Sequence, residues 1–101
     1  MLDLSPAALA NVSVILTRHI PEREVWAFGS RVTGTAKSYS DLDLVVLGEA
    51  AMPARTYNQL IEAFQESDLP FRVELVEWAT ISPAFRERIR QNHAVIQAGS
   101  L

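Results

Sequence analysis

Apolar residues recur along this chain at two different spacings, and each change of spacing predicts a new element. Leu9, Val12, Leu16 and Ile20 fall at helical intervals. They follow Ser5-Pro6, a hydroxyl cap with proline at the first helical position, so a helix is predicted to about His19, ending before Pro21. Val14 and Ile15 widen its apolar side, so the helix is broadly buried or meets a partner. Val25–Phe28 is a short apolar run of strand type, stopped by Gly29. Ser30–Thr33 predicts one or two helical turns closed by Gly34, and residues 35–40 read as a small polar loop.

In the stretch 41–47, Leu42, Leu44 and Val46 alternate with their neighbours and share the strand face opposite Asp41 and Asp43. Pro53 opens a helix with Tyr57, Leu60, Ile61 and Phe64 at i, i+3, i+4 and i+7, ended by residues 67–70. Residues 71–78 alternate imperfectly and predict a third strand. Trp26 and Trp78 then fall on strands and are expected in the core. Ser82-Pro83 repeats the cap-plus-proline start. Phe85, Ile89 and Ile96 mark one face of a last helix, with Arg86, Arg88 and Arg90 elsewhere on it and Gly99 as its stop. The order is helix, strand, short helix, strand, helix, strand, helix. It predicts a single α/β (α+β) domain over residues 1–101, with a small sheet backed by helices.

The bulk numbers narrow the function classes. With 101 residues, 49% of them apolar, the chain can build a core without staples. It has no cysteine, which excludes disulfides and thiolate metal sites. There is no apolar run of membrane-spanning length and no signal-peptide pattern at the N-terminus, so the expectation is a cytoplasmic protein that does not enter membranes. A net charge of −3 argues against broad, sequence-independent nucleic-acid binding but leaves a local basic patch open.

The chemistry concentrates between Trp26 and Leu47. Asp41 and Asp43 are two apart on a strand, so they share a face. Like charges on one face repel unless a cation lies between them, and aspartate is disfavoured in strands. A turn cap plus a solvent-facing strand aspartate is the plainer account of such a pair; the preceding Gly-Ser turn favours divalent metal. Gly29 lets a backbone approach a ligand closely, and Ser30 either caps the short helix or helps its N–H groups hold a triphosphate. Arg31 is either a phosphate-neutralising residue or a surface arginine. A two-metal site needs a third carboxylate, as metal ligand or base. Glu74 and Glu77 on the third strand lie on opposite faces, and Glu74, mid-strand between Val73 and Leu75, is the stronger candidate. His19 and His93 lack partners at metal-ligand spacing. Tyr39 reads as a loop tyrosine with base stacking as the alternative, and the three arginines of the last helix as a solvated face or a partner contact.

Gly29 and Ser30, ten intervening residues, then Asp41 and Asp43 match the signature of the polymerase-beta-like nucleotidyltransferases, with Arg31 and Gly34 also as that family has them. The short chain and the segment 71–78 resemble its minimal nucleotidyltransferase (MNT) branch. The family's third acid is usually aspartate; here Glu74, one methylene longer, stands in that place. The resemblance implies a polymerase-beta-like fold and transfer of a nucleoside monophosphate from a nucleoside triphosphate to a hydroxyl. It implies Mg²⁺, two ions, held by Asp41, Asp43 and Glu74, with Gly29, Ser30 and Arg31 on the triphosphate. Larger members carry a second helical domain that holds the acceptor. Minimal members are commonly the antitoxin of a pair whose toxin is a helical HEPN ribonuclease. The resemblance therefore implies an ATP-dependent, Mg²⁺-dependent adenylylation of a toxin tyrosine, with a homo- or hetero-oligomeric assembly open. Two alternatives stand beside it: an MNT-like subunit that inhibits its toxin by binding alone, and a nucleotidyltransferase acting on a small aminoglycoside-type hydroxyl.

Overall fold

The computed structural model describes residues 2–99. Each helix begins where local chemistry starts one. Helix α1 (Pro6–His19) is capped by the Ser5 hydroxyl, which accepts from the Ala8 N–H at 3.1 Å, and α4 (Pro83–Gln91) by the Ser82 hydroxyl, which accepts from Phe85 N–H. Helix α3 (Ala54–Gln65) follows Pro53 and buries Leu60 and Phe64. The short helix α2 (Ser30–Thr33) is bracketed by Gly29 and the left-handed Gly34.

The strands are β1 (Val25–Phe28), β2 (Leu42–Val46), β3 (Val73–Glu77) and β4 (Ala94–Gln97), in the sheet order β3-β2-β1-β4. β1 runs antiparallel to both of its neighbours, whereas β2 and β3 are parallel. A parallel pair needs a crossover, and α3 supplies it. Helices α1 and α3 cover one face of the sheet, where Val12, Leu16, Val25, Ala27, Leu44 and Leu60 are fully buried. The opposite face carries Trp26, Phe28, Asp43 and Glu74, and α4 lies against part of it.

The last quarter of the chain departs from the expectation. The helix begun at Pro83 ends at Gln91, and Ile96 belongs to β4, which pairs with β1. The run Ala94–Gln97 contains Val95 and Ile96, β-branched residues that suit a pleated surface, and an open edge of β1 awaits them. Trp78 lies on a 3₁₀ turn (Trp78–Thr80) beyond β3, and both tryptophans are half-buried on the α4 side instead of in the main core. There Trp26 stacks on His93 at 3.9 Å and meets Trp78 edge-on at 5.6 Å. Among the described residues no helix is long and apolar enough to cross a membrane.

Arg31 ties the loop 35–40 to the rest of the fold. Arg31 is 5% exposed. Its Nε and Nη2 donate to the Ser40 carbonyl at 3.0 and 2.8 Å, Nη2 also to Ser38 at 3.1 Å, and Nη1 to Asp3 at 3.0 Å. The guanidinium lies over the Phe71 ring at 4.2 Å, a cation–π contact. It thus ties α2, the N-terminal segment and the start of β2 into one unit. We expect Arg31→Met to cost roughly 2–4 kcal/mol in urea unfolding, the range for breaking a buried, hydrogen-bonded charge, and to speed hydrogen exchange in residues 35–40. An unchanged midpoint would show that the loop is held by something else. Leu44→Ala, at a fully buried position in the central strand β2, is expected to cost about 2–5 kcal/mol by the same measurement.

Candidate active site

Asp43 stands at the crossing of three elements. Its register partner on β1 is Phe28 and on β3 is Glu74. Residues paired across neighbouring strands share a face, so the register alone puts Asp43 and Glu74 side by side. Asp41, two residues earlier, lies just before β2 begins at Leu42 and is half-buried. The three acids chosen from sequence are therefore brought to one end of one sheet face. Glu77 is turned away, as expected, and its Oε1 accepts from the Met52 N–H on the other side.

The electrostatics record this convergence. Burial pushes the Asp43 carboxyl up from its ordinary 3.8, and the charges of Asp41 and Glu74 push it further in the same direction. A site that raises a carboxylate by crowding it with like charge favours a cation, and three carboxylates are hard oxygen donors of the kind that suit magnesium. Among the described residues, however, no three such side chains lie close enough together to grip an ion as they stand. The carboxylate of Glu74 leans instead to Arg72, at 3.3 Å, in a pair with both side chains largely exposed (77% and 51%). Such an exposed pair contributes little to fixing Glu74 in that position.

Gly29 directly follows Phe28 and lies against the acids. Its φ is +79°, a conformation that L side chains rarely adopt. A β-carbon there would also overlap Oδ2 of Asp43 and stand 3.2 Å from its Cγ. Glycine is needed twice over, for the turn and for the approach to the carboxylate. Gly29 is itself the cap of α2 and no side chain caps that helix, so the Ser30 hydroxyl is not the cap that the simpler account made it. Within α2 the Val32 and Thr33 N–H groups both donate to the Gly29 carbonyl, so the intrahelical bonds leave out only the N–H groups of Ser30 and Arg31.

Arg31 is the correction. It is not a surface arginine: its donors are engaged by loop carbonyls and its face by Phe71. With five N–H groups in a fixed fork, arginine suits that role.

A cleft of about 410 Å³ opens beside these residues, between the end of β1 and α4. Its lining includes Phe28, Gly29, Asp43, Phe85, Arg88 and Asn92. Phe85 meets Phe28 edge-on at 5.6 Å and pins α4 over the strand, with Ile89 buried beneath the helix. Sequence reasoning missed the contribution of α4, although the signal was present. Phe85, Arg88, Ile89 and Asn92 stand at i, i+3, i+4 and i+7, one helical face. Arg88 therefore shares the side of Phe85 and Ile89 and does not lie elsewhere on the helix. Arg86 and Arg90 instead lie against Trp78, at 5.3 and 5.0 Å from its ring, and Arg86 Nε donates to the Trp78 carbonyl at 3.0 Å.

Comparison with known proteins gives this geometry a family. The nucleotidyltransferase domain model matches residues 10–96. A relative from Haemophilus influenzae described as a probable protein adenylyltransferase MntA is 52% identical over 96 residues, covering 95% of this chain and 84% of the relative. In fold, the chain is similar to a toxin–antitoxin crystal structure with AMP-PNP, at TM-score 0.73 and 22% identity, over 91% of this chain and 74% of that one. It is also similar to a chain of the tri-AMPylated Shewanella oneidensis HEPN toxin in complex with MNT antitoxin, at TM-score 0.67 and 20% identity, over 91% and 71%. At such identities the structural likeness speaks for the fold, a mixed sheet with helices. The matched model spans both the Gly29 turn and the acidic strand, and the chain belongs to the nucleotidyltransferase domain family.

Proposed function

We propose that this chain is a protein adenylyltransferase of the antitoxin type, which transfers AMP from ATP to a tyrosine of a HEPN ribonuclease toxin and so silences it. The observation that carries the reading is the register that sets Asp43 beside Glu74, with Asp41 and the Gly29 turn at the same end of the sheet. The close relationship to a probable protein adenylyltransferase supports the choice of AMP and of a protein acceptor.

In this reading Asp41, Asp43 and Glu74 hold magnesium, two ions, and Gly29 and Ser30 lie along the triphosphate. Bound there, magnesium would supply positive charge to offset the charge developed in an in-line displacement. The tyrosine oxygen forms a bond to the α-phosphorus. The bond from that phosphorus to the bridging oxygen of the β-phosphate breaks, and pyrophosphate leaves with the electron pair. The tyrosine proton passes to a carboxylate of the trio. We assign that role to Glu74, the most exposed of the three, on the edge strand β3 where an acceptor has access. In this reading the toxin partner presents its own tyrosine as the acceptor.

Co-expression with the toxin tests the reading. The toxin is expected to gain the mass of one or more AMP groups with the wild-type chain and none with Asp41→Ala plus Asp43→Ala. Absence of any gain with the wild type would overturn it, and neutralisation by the double variant would point to inhibition by binding alone. Glu74→Gln is expected to slow transfer by about 10²–10⁴-fold, the usual weight of a general base.

A second prediction concerns stability. Because the folded-state carboxyl of Asp43 is raised, the folded state binds its proton more tightly than the unfolded one. The ionised group therefore opposes folding above the folded value, and the penalty vanishes below the unfolded value. In chelator, Asp43→Asn is expected to raise the unfolding midpoint at pH 7 while abolishing transfer. The gain should fade as pH is lowered and be absent near about pH 3, below the ordinary aspartate range. An equal gain at both pH values would assign it to packing instead.

A further inference from the structure

The reading above leaves the triphosphate without a protein cation, because Arg31 is committed to the loop. We infer that Arg88, on α4, is the residue that neutralises the triphosphate in the cleft; the inference rests on the nucleotidyltransferase reading of that cleft. Three observations carry it.

First, Arg88 is the one cation among the described residues that line the cleft, and the lining also includes Gly29 and Asp43. A highly anionic triphosphate meeting three carboxylates needs positive charge beyond the metal. Second, other basic side chains have partners elsewhere. Arg72 lines a separate cleft with Tyr57, Phe71 and Glu74, and Arg90 is paired with Glu87 at 3.3 Å. Arg86 donates to the Trp78 carbonyl, and Arg23 to the carbonyls of Leu47 and Ala50. Among the described residues Arg88 has no carboxylate partner; its contact is the ring of Phe85, 5.8 Å from the guanidinium carbon. Third, the position is fixed from below. Phe85 meets Phe28 edge-on and Ile89 is buried, so α4 is anchored on the sheet, and Arg88, between them in sequence, lines the cleft while staying exposed. A guanidinium on such a platform gives bidentate recognition of phosphate oxygens.

Calorimetry on the full chain with magnesium tests this, using α,β-methylene-ATP and AMP as probes. Arg88→Ala is expected to weaken binding of the triphosphate analogue by about 10- to 100-fold while changing AMP affinity by less than about twofold. Arg88→Lys should restore part of the loss, because a point charge replaces the fork. Wild-type affinity for the analogue should also fall more steeply with added salt than that of the alanine variant. Loss of both ligands to the same degree would assign Arg88 to shaping the cleft, and triphosphate binding unchanged in the alanine variant would leave it no role in binding; either result overturns the inference. Failure of the wild type to bind the analogue would overturn the nucleotidyltransferase reading itself. The circular dichroism spectrum is expected to be the same for all three proteins, since Arg88 is exposed and lies outside the core.

Discussion

The structure is arranged around a repulsion. Asp43 is partly withdrawn from water and flanked by two further carboxylates, one on its own strand segment and one across the parallel ladder. Each of these placements raises the free energy of the ionised group, and nothing in the acidic trio offsets it. The offset comes from the other side of the sheet. There β2 presents Leu42, Leu44 and Val46, all essentially buried, to α1 and α3. Alternation along a strand makes this division possible: the same five residues give an apolar face to the core and a charged edge to the cleft. A domain of this size is stable by only about 5–15 kcal/mol, so the core has to carry the cost of the site.

The fold was legible in the sequence wherever a periodic apolar pattern met a chemical start signal. Ser5-Pro6 and Ser82-Pro83 marked helix starts that the structure has at the same residues, and the Gly29 and Gly34 bracket gave α2 its ends. The failure was at the C-terminus. Ile96 falls seven residues after Ile89, a helical interval, and so extended the apparent helix; only the pairing with β1, a contact between residues about seventy apart, makes Ala94–Gln97 a strand. Local spacing does not contain that information. The placement of Glu74 over Glu77 was legible because two residues three apart on a strand must face opposite ways, and the structure gives Glu77 a partner on the far side.

Arginine roles were the least legible part of the site. Arg31 lies within the family signature and reads as a phosphate ligand, yet it is nearly buried and bonded to carbonyls from both chain directions. Arg88 lies in a run of alternating charges that reads as solvated surface, yet helical geometry sets it on the cleft side. The difference is one of burial and partners, which depend on what packs over a residue and not on its neighbours in sequence. Phe71 decides the first case by lying under the Arg31 guanidinium, and Phe28 decides the second by receiving Phe85.

A loop that must present Asp41 without collapsing onto the acids needs a rigid tether that carries no negative charge. Arg31 meets that need in a way that lysine does not. Its Nε and Nη2 reach one carbonyl of Ser40, while Nη1 reaches the N-terminal segment, so one planar group fixes a loop end against two other pieces of chain. Its positive charge is held by neutral carbonyl dipoles and not by Asp41 or Asp43. Had Arg31 paired with Asp41 or Asp43, it would have lowered their proton affinity and competed with any divalent cation. Engaging the arginine with backbone carbonyls ties the loop end in place and leaves Asp41 and Asp43 free of its charge.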